Sequence, residues 1–188
     1  MRGRQTSTQA GDPLQYPIAT DLEPRPCPGC GLVTEPAQGP THAYIGASPG
    51  CWAAFGALML EPFGAAGSGQ LLTDAYACQH PGVPERRAIQ SVCLHLLLLC
   101  ATLERGWPPQ RAIQLRRQAL ARPPAVWRWL DPQLPLGSVT IAHVAAAADA
   151  ADRGRRLRAW AEDVWGAYEA HHAEIRRWVD ALLQRADR

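Results

Sequence analysis

Six cysteines (Cys27, Cys30, Cys51, Cys78, Cys93, Cys100) and six histidines (His42, His80, His95, His143, His171, His172) are the residues of this 188-residue chain best suited to chemistry. In Cys27-Pro28-Gly29-Cys30-Gly31 the two intervening residues let both thiolates face one ion, as in a zinc knuckle, and glycine tolerates the backbone angles that follow the turn. A redox role fits the pair less well. Thioredoxin-type C-x-x-C motifs open a helix after a strand, whereas Pro26 and Pro28 set this one in a Gly/Pro-rich loop. A tetrahedral ion needs two further ligands. Cys51 follows the Gly/Pro-rich segment at the expected start of a helix and can meet the knuckle as the segment folds back. The fourth ligand is His42 or His80. His42 closes a compact local pattern, with eleven residues between it and Cys30 and eight between it and Cys51. His80 stands at a helix end before Pro81, a rigid position for a ligand. Spacing alone favours His42.

The remaining thiols and imidazoles point elsewhere. Cys93 and Cys100 are seven apart on an apolar helix and share a face, where free cysteine behaves as a small buried hydrophobe. Cys78 reads the same way, with His80 close by. His95, on that helix, fits a buried histidine hydrogen-bonded to a neighbour. Glu169-Ala170-His171-His172 contains the Glu-x-x-His spacing of di-iron bundles, but those sites need a second copy, and no other histidine here has glutamate three residues before it. No H-E-x-x-H, P-loop, G-x-G-x-x-G or G-x-S-x-G is present.

These residues must be positioned by helices. Ser48-Pro49 reads as an N-cap and first-turn proline, opening a helix through Cys51, Trp52, Phe55, Leu58 and Met59 that stops near Pro62. A short helix over 71–79 is closed by His80-Pro81. The segment 85–105 has apolar residues all round and is expected to be the buried centre. A more polar helix follows over 109–122. Residues 126–137, with Trp127, Trp129, Leu130, Leu134 and Leu136 among prolines, read as an irregular strap over the core. Thr140 caps a short Ala-rich helix to about Ala148. Leu157, Trp160, Val164, Tyr168, Ile175, Trp178, Val179 and Leu182 then keep a three-four spacing, as one long amphipathic helix or two joined near Ala170. No stretch alternates with period two for more than a few residues. The expected fold is all-α, with residues 1–25 a flexible arm and 26–188 one helical domain carrying an irregular, zinc-binding N-terminal segment.

Composition bounds the function. With 47% hydrophobic residues the chain is not a disordered one, and 19 basic residues, all arginine, against 17 acidic ones leave only +2, too small an excess for a non-specific grip on nucleic acid. Arg153, Arg155, Arg156 and Arg158, with Arg176 and Arg177 further on, are interleaved with Glu162, Asp163, Glu169 and Glu174, as on a salt-bridged helix surface. The longest nearly apolar stretch, 92–103, falls short of the roughly 20 residues a bilayer demands. The N-terminal residues lack the apolar run of a secretory signal, so the expected compartment is the cytoplasm and the expected partner a small molecule or a protein.

Taken together, Cys27-Pro-Gly-Cys30-Gly31, Thr41-His42-Ala-Tyr44-Ile-Gly-Ala-Ser-Pro-Gly-Cys51-Trp52, Asp74-Ala-Tyr76-Ala-Cys78-Gln79-His80-Pro81-Gly82, Gln90-Ser91-Val92-Cys93-Leu94-His95-Leu96 and Arg158-Ala-Trp160-Ala-Glu-Asp-Val-Trp165 resemble a bacterial domain-of-unknown-function family over about residues 26–180. In that family the C-x-x-C-G, a later cysteine and the Gln-His-Pro triplet are shared, whereas the histidine at His42 belongs to some members only. The resemblance therefore implies Cys27, Cys30, Cys51 and His80 as the ligand set, reversing the preference for His42, and it carries no activity. Zinc is the expected ion, since three thiolates and an imidazole suit a borderline-soft tetrahedral cation better than Mg or Ca. The reading that follows is a structural Cys3His site in a binding or accessory module. The alternatives are a metal-dependent enzyme with His42, Asp74, His95 or the His171-His172 pair lining a pocket beside the ion, and a thiol redox sensor using Cys78, Cys93 or Cys100.

Overall fold

The computed structural model describes residues 18–20, 23–63, 67–121 and 127–186. Most of the arm expected over 1–25 lies outside them, as does the expected end of the polar helix at residue 122. Within the arm, Ile18–Thr20 (β1) pairs antiparallel with Gln38–Pro40 (β2), Ile18 opposite Pro40. No alternation announces this pairing, because three-residue strands containing glycine and proline are too short to carry one.

The rest is helical. Helix α1 (Pro49–Met59) opens as expected: Ser48 is extended at φ −69°, ψ 157°, and its hydroxyl accepts from the Cys51 N–H at 3.3 Å, satisfying one of the free donors of the first turn. Helix α2 (Ser68–Gln79) starts a turn earlier than the sequence suggests, after Gly67 at φ 84°. Helix α3 (Arg86–Leu99) runs into a π-helical turn, Cys100–Glu104, and α4 spans Pro109–Ala121. A short α5 (Ile141–Ala145) precedes α6 (Ala150–Gly166), capped by Asp149, whose carboxylate accepts from the Asp152 N–H at 2.7 Å. The C-terminal periodicity resolves into two helices, α6 and α7 (His172–Ala186), separated by the 3-10 turn Glu169–His171.

The centre of the molecule differs from expectation. Helix α2 packs against both α3 and α6, so it and α3 share the centre. Its small buried residues Ala75, Ala77 and Cys78 let both neighbours approach closely, while Leu72 and Tyr76 fill the remaining space. Composition concealed this, because small residues carry little hydrophobic signal. Leu94, Leu97, Leu98, Trp160, Val164 and Trp178 are all buried as the periodicity requires, and α7 packs on α3.

The strap after residue 126 is held by polar anchors. The Gln133 N–H donates to the Ala167 carbonyl at 2.8 Å, and the Asp163 carboxylate accepts from the N–H groups of Ser138 and Val139 at 2.5 and 2.7 Å. Gln79, fully buried, donates from Nε2 to the carbonyls of Leu136 (2.9 Å) and Val139 (2.8 Å), while its Oε1 accepts from Trp160 Nε1 at 2.9 Å. The continuous helical run Arg86–Glu104 has 19 residues and a peak mean hydropathy of 1.3, enough by length and composition to cross a membrane. That exceeds the sequence estimate from residues 92–103. In the fold the run lies against α2, α4 and α7, as expected of the core helix of a globular domain.

Candidate metal centre

Three elements bring one group of four donors together. The knuckle turn supplies Cys27 and Cys30, the first turn of α1 supplies Cys51, and the end of α2 supplies His80. Their ligand atoms all lie within 4.8 Å of one another. Cys30 Sγ is 3.8 Å from Cys51 Sγ, and Cys51 Sγ is 3.4 Å from His80 Nε2. A tetrahedral zinc with Zn–S near 2.3 Å and Zn–N near 2.0–2.1 Å separates its ligands by about 3.8 Å (S···S) and about 3.6 Å (S···N). The donor set has the dimensions of an ion's first coordination shell and could hold one.

Local chain chemistry builds the geometry. The Gly31 N–H donates to the Cys27 carbonyl and the Cys27 N–H to the Leu32 carbonyl, both at 2.9 Å, closing the knuckle around Gly31 at φ 72°. Gly29 lies against the imidazole: a Cβ there would sit 2.4 Å from His80 Cδ2 and 2.6 Å from the Gln79 carbonyl, so only glycine lets the turn close on His80. His80 Nδ1 is 2.8 Å from the Tyr76 carbonyl. A carbonyl can only accept, so Nδ1 carries a proton and Nε2 is the nitrogen that faces the sulfurs, the orientation that metal-ligating histidines have when a backbone oxygen fixes their tautomer. The Tyr76 ring stacks on His80 at 4.1 Å between centroids, and its hydroxyl donates to Cys51 Sγ at 3.5 Å. The Ser48 N–H points to Cys27 Sγ at 3.4 Å. With Cys51 in the first turn of α1, the positive end of that helix also faces the sulfurs.

Electrostatics agree with a cation-binding cluster. Hydrogen bonding from Cys30 and Cys51 holds the Cys27 thiol far below its ordinary range, whereas the same sulfur contacts, reinforced by burial, push Cys51 up. Burial works against charge on His80, but Cys27 and Cys30 outweigh it and raise the imidazole to about 9. The cluster therefore concentrates negative charge and collects protons around it, and a divalent cation at its centre would take their place.

His42 does not join this group. Its Nδ1 accepts from the Tyr44 N–H at 3.5 Å, its ring packs edge-on to Tyr44 at 4.2 Å and beside Trp52 at 5.4 Å, and burial lowers its pKa. The His171-His172 pair is occupied structurally: His171 Nε2 donates to the Asp131 carbonyl at 2.8 Å, and His172 Nε2 to the Trp165 carbonyl at 2.9 Å, with its ring stacked on Trp165 at 3.9 Å. His143 Nδ1 accepts from the Thr140 N–H at 3.0 Å and so helps cap α5. His95 Nδ1 lies 2.7 Å from the Asp74 carboxylate, a pairing that sequence reasoning missed because the two positions carry no common spacing. Among the described residues no other group of three metal-ligating side chains converges in this way.

The three remaining cysteines are core residues. Cys78, Cys93 and Cys100 are at most 1% exposed, and burial raises their thiols, Cys93 to about 12 and Cys100 to about 11. A thiol held in that range is almost wholly protonated near neutrality, and the thiolate is the reactive form. In the folded protein these three should resist a thiol-specific alkylating reagent and react fully only in denaturant; rapid native modification of any of them would restore the redox-sensor reading.

Fold and cluster together describe an all-α protein with a Cys3His cluster closing its irregular N-terminal segment. The chain belongs to the family of unknown function DUF5946, whose model matches residues 25–169. No curated protein and no solved structure gives a significant match.

Proposed function

We propose that Cys27, Cys30, Cys51 and His80 hold one structural zinc ion, which pins the segment before α1 onto the end of α2, and that the protein works as a cytoplasmic binding or accessory module for a small molecule or another protein. The observation that carries the reading is the convergence of three sulfurs and one correctly oriented imidazole nitrogen at first-shell separations. Three thiolates and a neutral imidazole give a zinc complex a net charge of −1 and a closed tetrahedral shell. The ion would supply cross-linking to a segment in which glycine and proline leave little apolar surface to bury. A metal-dependent enzyme would instead keep one position for water, and here protein donors account for all four.

The discriminating pair of variants is His80→Ala and His42→Ala. His80→Ala should lose zinc to a competing chelator at least 100-fold more readily than the parent, since it removes a ligand, while loss of an outer partner costs about 10–100-fold. His42→Ala should retain its zinc. Loss of zinc from His42→Ala alone would assign the fourth position to the local pattern instead.

A further inference from the structure

Asp74 is an expensive residue for the fold to keep. Its side chain is 1% exposed, and both of its donors, Gln70 Nε2 at 2.8 Å and His95 Nδ1 at 2.7 Å, meet the same oxygen, Oδ1. Oδ2 is buried with no hydrogen-bond partner among the described residues. Burial, only partly countered by His95, holds this carboxyl above its ordinary range. A half-satisfied buried carboxylate works against stability. What it provides is control of His95: with Nδ1 committed to Oδ1, the imidazole is fixed in tautomer and orientation, as a base is fixed by an orienting carboxylate in acid–base sites.

His95 also lines a cavity of about 420 Å³ between α3 and α4, walled with it by Tyr44, Arg87, Gln90, Ser91 and Arg116. No Asp or Glu lines it. Most arginines of α6 and α7 with described partners are paired: Arg155 and Arg156 with Asp152, Arg158 with Glu162, and Arg176 with Glu104. Arg87 and Arg116 form no ion pair among the described residues, although the Arg116 charge reaches Asp74 and favours its ionised form, and His95 Nε2 makes no hydrogen bond there. Two unpaired guanidinium groups and an oriented imidazole around a polar hollow are the chemistry that binds oxyanions. The volume exceeds that of inorganic phosphate and lies toward the small end of organic-ligand pockets, roughly 300–1,000 Å³.

We infer that this cavity binds a small organic oxyanion, a phosphate monoester or a carboxylate, held by Arg87 and Arg116, with Asp74-oriented His95 exchanging a proton with the ligand at Nε2. The site is separate from the metal centre, since Asp74 precedes His80 by six residues, about 9 Å along α2, and it names a ligand class that a structural zinc does not.

The test is a titration of the zinc-replete protein with phenyl phosphate and with benzoate, following imidazole nitrogens by long-range ¹H–¹⁵N NMR. Saturable movement of the His95 resonances is expected with at least one probe, and the tighter of the two assigns the phosphate or the carboxylate. The Arg87→Gln/Arg116→Gln variant, altered only at exposed positions, should raise the dissociation constant roughly tenfold or more, the loss expected from a charged hydrogen bond, with zinc content unchanged. In Asp74→Asn the His95 nitrogen pattern should shift toward a mixture of tautomers. If neither probe moves His95 saturably, or the double-arginine variant binds like the parent, the inference is wrong. Metal content measured on the same samples reports separately on the zinc reading.

Discussion

Cys27→Ser should purify without stoichiometric zinc, and its residues 26–47 should exchange their amide hydrogens far faster than the parent's. Leu32, Ile45 and Ala47 pack at the edge of the core and His42 lies beside Trp52, but the backbone of the segment is held by few bonds among the described residues. Besides the β1–β2 pairing and the Pro26–Val33 bridge, its backbone-to-backbone bonds among the described residues are the knuckle bonds, an Ala47-to-Ile45 turn and the Gly46 N–H to the His80 carbonyl at 3.1 Å, and the last of these depends on where His80 sits. Replacing one thiolate would remove a ligand of the proposed ion and leave Cys30 and the buried Cys51 without a counter-ion. Helices α2 and α3 should keep their protection, because their burial against α6 and α7 does not involve the cluster. Hydrogen exchange read by mass spectrometry separates the two regions in one experiment. If residues 26–47 stayed protected in the zinc-free variant, the ion would not be what orders them.

The second large effect is expected at Gln79. Gln79→Leu keeps most of the volume but strands the Leu136 and Val139 carbonyls and the Trp160 indole N–H, three buried groups whose lost partners cost about 1–3 kcal/mol each and do not simply add. A total of about 3–5 kcal/mol would lower Tm by roughly 10 °C in a chain of this size. Trp160→Phe removes the stranded N–H, so the double variant should be less destabilised than the sum of the singles. Strict additivity would show that the amide and the indole are not coupled.

Legibility in the sequence followed the range of the interaction. The Ser48-Pro49 start of α1 was readable because capping is settled within four residues, and the C-x-x-C knuckle because two thiolates and a turn are equally local. The all-α class was readable from the apolar run of α3 and the three-four spacing sustained across α6 and α7. The choice between His42 and His80 was not a local matter. Closing a longer loop adds only about 0.6 kcal/mol per doubling of length, so compactness is weak grounds for choosing between the two histidines, and it is the position of His80 at the end of α2 that brings it beside the sulfurs. The partners of Gln79 and Asp74 were illegible for the same reason: an isolated polar residue on a helix gives no periodic signal, and those partners stand 81 and 21 residues away at Trp160 and His95. The central place of α2 was hidden by its alanines, which matter for letting neighbours approach and hardly at all for hydropathy.

The most direct measurement is X-ray absorption at the zinc edge on protein purified without added metal. The account predicts one zinc per chain, with three sulfur neighbours near 2.3 Å and one nitrogen near 2.0–2.1 Å, the nitrogen contribution disappearing in His80→Ala and persisting in His42→Ala. A shell of two sulfurs with two light atoms, a bound water, or stoichiometric iron in place of zinc would contradict it.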